Sequence, residues 1–361
     1  MMVPPTLCVT GPSGSGKTHL LERLIARLSR QGLHVAGIKH CHHLDRVGSD
    51  KDSDRLGRAG ARPVIAVADG AVEIRAACSG TSLVDLAAMF CRDCDLVLAE
   101  GYKQSIHDKI RLAGPGRPVQ LPTTAGRIDR DDTDSLAAWV TDWLERRLAL
   151  RSDLIGVVLT GGTSGRMGFD KSRLRIAGRS VLGSLCELLA DRLGRVMIIG
   201  RRPAEGDVPA CARWHPDDMP GGGPAGGIAT ALRIAAEGDR AMGVCIVACD
   251  MPLLRGDLLD YLLAGRSSSA DRGQATAVVN PRTGRLETLL AVYEPQARRY
   301  IESAMETSDA AAGKKPSVWK CLGAAGVRRL DVPDALADQL ANVNTPQELE
   351  AIRLPTEANG M

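Results

Sequence analysis

The sequence predicts two α/β domains in tandem, each built on a mainly parallel sheet, and three observations point there. A chain of 361 residues is too long for one ordinary core. Short apolar runs alternate with amphipathic segments, and the alternation restarts near residue 153 with no repeat shared between the halves. Each half also opens on an apolar run that breaks into glycines: "TLCVTGPSGSGKTHLLERL" (6–24) and "DLIGVVLTGGTSGRMGFDKSRL" (153–174).

In the first half, "TLCVT" reads as a strand, and a helix follows with Leu20, Leu21, Leu24, Ile25 and Leu28 at helical spacing. "HVAGIK" (34–39), "PVIAVAD" (63–69) and "DLVLAE" (95–100) are runs of buried-strand type. "DDTDSLAAWVTDWLERRLAL" (131–150) opens with capping residues and turns amphipathic, as a closing helix does. The second half supplies strands at 153–160, 195–200, 243–250, 275–280 and 286–293, with helices at 180–193, 224–237, 255–264 and 345–353. The domains are therefore 1–150 and 151–361. No Pro/Gly-rich linker parts them, which places them close together.

Composition excludes several classes. Hydrophobic residues at 44% and charged residues at 25% are those of a soluble globular protein. A net charge of +3 without charge runs gives no nucleic-acid surface. No apolar run approaches the roughly 18 residues of a membrane span, and no signal-peptide pattern is present, so a cytoplasmic protein is expected. The ten cysteines are irregularly spaced and read mostly as small core residues; for Cys91 and Cys94 of the single C-x-x-C a structural role is favoured over a metal or redox one. His40, Cys41, His42 and His43 end a strand in "IKHCHH", without a diagnostic metal spacing; polar loop contacts are the favoured reading. With 37 arginines and 9 lysines, the chain keeps few lysines, and six of them (Lys17, Lys39, Lys51, Lys103, Lys109, Lys171) fall in or beside the motifs.

"GPSGSGKT" fits G-x-x-x-x-G-K-[ST] between a strand and a helix, the context that a P-loop requires. Gly11, Gly14 and Gly16 let the backbone N–H groups curve around phosphates. Lys17 is expected at the β/γ oxygens and Thr18 on Mg²⁺. Glu100, ending "DLVLAE", is the candidate acid for the metal or its water. The fold expected here is a P-loop NTPase-like sheet.

The second loop follows another plan. A P-loop presents the γ phosphate for attack, whereas a nucleotidyl transfer needs the α phosphate open and the leaving pyrophosphate neutralised. In "LTGGTSGRMGFDK", Leu159 and Thr160 lead into Gly161 and Gly162, which allow close backbone approach at a strand's carboxyl end. Arg166 and Lys171 supply cations for the charge that builds on the leaving group. Asp250, after the run "GVCIVAC" and before "MP", is placed to hold Mg²⁺. "HPDDMPGGGPAGGIATAL" (215–232) brings Asp217 or Asp218 to the site, and "ANVNTPQEL" (341–349) presents Asn342 and Asn344. The expected fold is a Rossmann-like, GT-A-like nucleotidyltransferase sheet.

These motifs carry two resemblances. The P-loop, "IKHCHH", "GSDKDSDRLGRAGA", "LVLAEGYK" and "DKIRL" together resemble the MobB family, adaptors of molybdopterin-guanine dinucleotide biosynthesis. That likeness implies a GTP-binding, slowly hydrolysing, often dimeric partner, with molybdoenzymes or their chaperones as further partners. "LTGGTSGRMGFDKSRL", "DDMPGGGPAGGI", "CDMPLL", "RLETLLAVY" and "NVNTPQEL" are similar, in order, to the MobA family of molybdenum cofactor guanylyltransferases. The implied reaction joins GMP from GTP to molybdopterin and releases pyrophosphate. By that resemblance Gly161, Gly162, Lys171 and Asp218 bind GTP, Asp250 binds GTP and Mg²⁺, and Asn342 and Asn344 lie toward the pterin. Ala225 departs from the family's usual leucine. Two rivals are a CTP-using cytidylyltransferase of the same fold and a P-loop GTPase or carrier fused to a sugar-phosphate nucleotidyltransferase.

Overall fold

The computed structural model describes residues 2–41, 64–68, 71–75, 82–114, 117–122, 126–160, 174–176, 178–204, 207–238, 240–267, 273–306, 317–323, 326–343 and 348. The first half runs β1 (Thr6–Thr10), α1 (Lys17–Arg30), β2 (Val35–Lys39), β3 (Val64–Ala68), β4 (Ala71–Arg75), α2 (Leu83–Phe90), β5 (Leu96–Glu100), β6 (Asp108–Leu112), β7 (Val119–Gln120), β8 (Arg127–Ile128) and α3 (Thr133–Arg151). Its six-stranded sheet has the order β2-β5-β1-β6-β7-β8, with β2, β5, β1 and β6 parallel. β1 is buried along its whole length because Leu7 and Val9 face α1 and α3 while Cys8 faces the other side. β3 and β4 form a separate antiparallel hairpin.

α3 passes directly into the second half: β9 (Leu154–Leu159), β10 (Arg175–Ile176), β11 (Arg179–Ser180), α4 (Val181–Leu193), β12 (Val196–Ile199), β13 (Ala212–His215), α5 (Gly223–Ala235), β14 (Gly243–Ala248), α6 (Gly256–Ser267), β15 (Ala275–Val279), β16 (Leu286–Tyr293), α7 (Ala297–Glu306), α8 (Val318–Leu322) and β17 (Val327–Asp331). The seven-stranded sheet has the order β13-β12-β9-β14-β16-β15-β17, and only β16 runs against the rest. α4 and α6 cover one face, α5 and α7 the other, so β9 and β14 are buried throughout. The chain leaves β9 for β12 on one side and later reaches β14 on the other. That order reversal opens a crevice at the carboxyl ends of the strands, where open α/β sheets take ligands. The two sheets match the predicted class. The helix expected at 345–353 lies outside the described residues apart from 348.

One apolar core continues from half to half: Val84, Ala87 and Ala88 of α2, and Cys91 just after it, pack with Leu182, Leu185 and Leu189 of α4. A charged layer borders it. Arg151, 1% exposed, donates to the carbonyls of Val3, Ala190 and Asp191. Arg192 holds Asp260 through Nε at 2.8 Å and also pairs with Asp191, while Asp108 accepts from Arg147 at 2.6 Å and from the Trp143 indole at 2.8 Å. Asp108 and Arg192 stand 3.8 Å apart across the junction. The contact lies at the amino-terminal ends of β1 and β9, where Val3 N–H donates to the Gly194 carbonyl at 2.7 Å. Both glycine loops start at the opposite ends of these strands.

His107 lies in this layer, 3.6 Å from Asp191. Burial pushes its imidazole below the usual 6.5, outweighing the attraction of Asp191. The folded protein therefore keeps it neutral while the unfolded chain binds a proton. Stability from this group is present above the unfolded value and is lost as pH falls through it. Between about pH 7.5 and about pH 5.5 the melting temperature should fall, and His107→Gln should make that fall shallower in calorimetry. An unchanged slope would remove His107 from the acid response.

Candidate functional site

In the first half the strand–loop–helix turn is built by glycines. Gly14 (φ 70) and Gly16 (φ 78) take left-handed backbone, which allows the tight curl onto α1. A Cβ on Gly11 would meet the Leu112 carbonyl oxygen at 2.7 Å, so glycine also permits the loop's close packing against β6. Lys17 Nζ donates to the Pro12 carbonyl at 2.7 Å, folding back over the loop as a phosphate-binding lysine does. The Thr18 hydroxyl donates to Glu100 Oε2 at 2.7 Å, joining two predicted residues 82 positions apart. They meet because parallel pairing sets the end of β5 beside β1, next to the start of α1. Lys39 stands 3.6 Å from the same carboxylate. Ser15 Oγ is buried with no hydrogen-bond partner among the described residues. A hydroxyl, a carboxylate and an orphaned donor suit Mg²⁺ with phosphate oxygens, since that ion needs few protein ligands.

In the second half, Leu159 is buried against α5, where a Cβ on Gly227 would stand 3.1 Å from it. The Thr160 hydroxyl donates to the carbonyls of Ile199 (3.1 Å) and Arg201 (2.8 Å). Both side chains are thus committed to the scaffold, and only backbone at these positions is left for a ligand. Gly161, Gly162, Arg166 and Lys171 lie outside the described residues. The neighbouring strand end is fixed by Cys249 N–H donating to the Leu159 carbonyl at 3.2 Å, which sets Asp250 beside the start of the loop. Val343 N–H donates to the Asp250 carbonyl at 2.9 Å, so exposed Asn342 enters the same rim. Asn344 is outside the described residues. Main-chain hydrogen bonds thus bring the chain at Thr160, Asp250 and Asn342 to one end of the sheet. One half-buried carboxylate at a strand end fits a Mg²⁺ whose other ligands are water and substrate phosphate.

The alternative between Asp217 and Asp218 looks different in the fold. Asp217 accepts from the Thr230 hydroxyl and from Met219 N–H, both at 3.0 Å, and so staples its loop to α5. Asp218 is exposed on the rim and accepts from Arg233 at 2.6 Å. Ala225 is fully buried between α5 and the sheet, so its departure from leucine is a matter of packing.

The remaining metal readings gain nothing from placement. His42 and His43 are outside the described residues, and no group of three His, Cys, Asp or Glu side chains that could hold a metal occurs among the described ones. Cys91 is buried, and burial raises its thiol pKa. No helix is long and apolar enough to cross a membrane among the described residues.

Sequence reasoning missed three rim residues. Arg202 stacks over Trp214 at 5.2 Å beside β12, and Arg130 reaches Gly16 in the first site. Glu287 of β16 is the third, and its carboxylate accepts from the Asn280 amide at 3.0 Å, just past the carboxyl end of β15. No local pattern marks the two arginines among 37.

Fold and sites together define a protein with one P-loop nucleotide-binding half and one nucleotidyltransferase-type half. The family model "Molybdopterin guanine dinucleotide synthesis protein B" matches residues 6–128, and "MobA-like NTP transferase domain" matches 156–318. The chain is 45% identical over 121 residues to a molybdopterin-guanine dinucleotide biosynthesis adapter protein of Haemophilus influenzae, covering 33% of this chain and 68% of that one. It is 31% identical over 207 residues to a probable molybdenum cofactor guanylyltransferase of Pelotomaculum thermopropionicum, covering 56% of this chain and 93% of the relative. The Escherichia coli adapter protein is 30% identical over 168 residues, covering 40% of this chain and 95% of its own. The chain belongs to the MobB adapter family through its first half and to the MobA-like molybdenum cofactor guanylyltransferase family through its second.

Proposed function

We propose that this chain is a bifunctional protein of molybdenum cofactor biosynthesis, divided at residues 150/151. The second half transfers GMP from GTP to molybdopterin, and the first half binds GTP as an adaptor with slow hydrolysis. The observation that carries the reading is the main-chain bonding that brings the chain at Asp250, the Thr160 loop start and Asn342 to the switch point of the second sheet. A terminal phosphate oxygen of molybdopterin attacks the α phosphorus, the bond to the bridging oxygen breaks, and pyrophosphate leaves. Asp250 would hold Mg²⁺, which when bound supplies charge neutralisation to the phosphates. Lys171 and Arg166 stabilise the leaving charge, and Asn342 and Asn344 face the pterin. Thr18 and Glu100, hydrogen-bonded to each other, would hold Mg²⁺ in the first site, and Lys17 would take the β/γ oxygens.

The test is pyrophosphate release by the full chain from each of four nucleotides, with and without molybdopterin. GTP should support turnover only when molybdopterin is present. Comparable kcat/KM with CTP would move the protein to the cytidylyl class, because a site that hydrogen-bonds a base rejects one lacking those groups by a large factor.

The two loops serve different phosphorus atoms, and the strands that lead into them, β1 and β9, meet the junction at their amino-terminal ends. Lys17→Ala should therefore abolish nucleotide binding in the first half and leave saturated guanylyl transfer within about twofold, whereas loss at low substrate is compatible with delivery by a tethered neighbour. A tenfold or greater fall in saturated kcat would show that the sites are coupled.

Self-association is supported by the β3–β4 hairpin, which joins neither sheet and exposes Ile65, Val67 and Ile74. A two-stranded hairpin is marginal alone. Sedimentation of Val67→Glu, at 76% exposure, should show a shift toward monomer, and an unchanged profile would exclude this contact.

A further inference from the structure

Above the start of α1 lies a cation supplied from a distant turn of the chain. Arg130 sits in the turn between β8 and α3, 114 residues from the P-loop. Its guanidinium Nη2 donates to the Gly16 carbonyl at 3.4 Å, over the helix N-terminus. That end carries the positive pole of the helix dipole, has no side-chain cap and has no acid in its first turn. Lys17 is already there. Glu100 brings one carboxylate to this end through Thr18, but Lys39 stands 3.6 Å from it, so a further cation over the loop favours an entering anion.

The acids beside Arg130 are turned to other work. Asp129 accepts from Asp131 N–H, Asp131 pairs with Arg23, and Asp132 caps α3 through Ser135 N–H. Meanwhile Arg23 of α1 locks the turn. It donates to the carbonyls of Arg130 (3.1 Å) and Asp131 (2.8 Å) and through Nε to the Thr133 hydroxyl (2.9 Å). The backbone is held, and the guanidinium extends to the loop, where its partner is the Gly16 carbonyl at 3.4 Å. Ser15 Oγ, buried and without a partner among the described residues, lies in the same loop. A planar, always charged fork suits phosphate oxygens.

We propose that Arg130 is a phosphate-binding residue of the first site, reaching over the N-terminus of α1 to the phosphates of a bound nucleotide, with Arg23 as its positioning residue. This rests on the reading of the first loop as a nucleotide site. The proposal is tested in the full chain by hydrogen exchange of the 9–24 segment, which reports that site apart from the transferase half. Protection is titrated with Mg·GTP and with inorganic tripolyphosphate, which lacks base and ribose.

Arg130→Gln should weaken both ligands by about tenfold, the loss of one charge-assisted contact, and Arg130→Lys should restore part of it. Arg23→Gln should weaken both through the freed turn without abolishing binding. Affinities within twofold of wild type in Arg130→Gln would overturn the proposal. So would a loss for GTP with none for tripolyphosphate, which places the arginine on base or ribose. If wild-type protein shows no GTP protection of this segment, the nucleotide reading of the first loop fails and the proposal fails with it.

Discussion

Asp250→Ala should lower guanylyl transfer by about 10²–10³-fold while leaving the protein folded. The expected size follows from how the carboxylate is held. Its main chain is fixed on both sides, by Cys249 N–H on the Leu159 carbonyl and by Val343 N–H on its own carbonyl. A group positioned before substrate arrives acts on developing charge without reorganising, which is why removing one such group is so costly. Those main-chain bonds survive alanine, so the melting temperature should move little. Pyrophosphate release at saturating Mg²⁺, with molybdopterin present, is the measurement. Lys171→Ala should fall in the same range. Turnover near the wild-type rate in either variant would remove that residue from the mechanism.

Much of this was legible in the sequence, for local reasons. The P-loop and the second glycine loop are backbone rules written in glycines, and each strand–loop–helix context came from apolar periodicity. The pair Thr18–Glu100 was readable residue by residue, because a P-loop threonine and a strand-end acid each announce themselves, although only parallel pairing of β1 and β5 brings them to 2.7 Å. Leu159 and Thr160 lead into the second loop, and the fold leaves only their backbone for a ligand: one side chain fills the core and the other ties β9 to β12. Adjacent Asp217 and Asp218 were indistinguishable in sequence, since what separates them is a hydroxyl on Thr230 and a guanidinium on Arg233 in the following helix. Arg130 gave no signal at all. An arginine before a helix is ordinary, and its meaning depends on a loop 114 residues away.

The junction was the least legible feature, and it carries the second large effect. Arg147 and Arg151 end a helix, where bases normally sit in water against the dipole, and Asp191 and Arg192 end another. The fold buries all four between the halves. Arg192→Ala would leave Asp191, Asp260 and Asp108 without the cation that now contacts each of them. Breaking a buried pair from one side typically costs about 3–5 kcal/mol, which lowers the melting temperature by on the order of ten degrees. An exposed pair sets the contrast: Arg240, 73% exposed beside Asp153, should cost less than about 1 kcal/mol when cut to alanine. Because Val84, Ala87 and Ala88 share a core with α4, the loss should not stay in the second half. Hydrogen exchange of residues 83–97 in Arg192→Ala should rise together with that of 181–193, and calorimetry should still show one transition. Two separated transitions, with 83–97 unchanged, would mean that the halves fold independently and that the charged layer only decorates their contact.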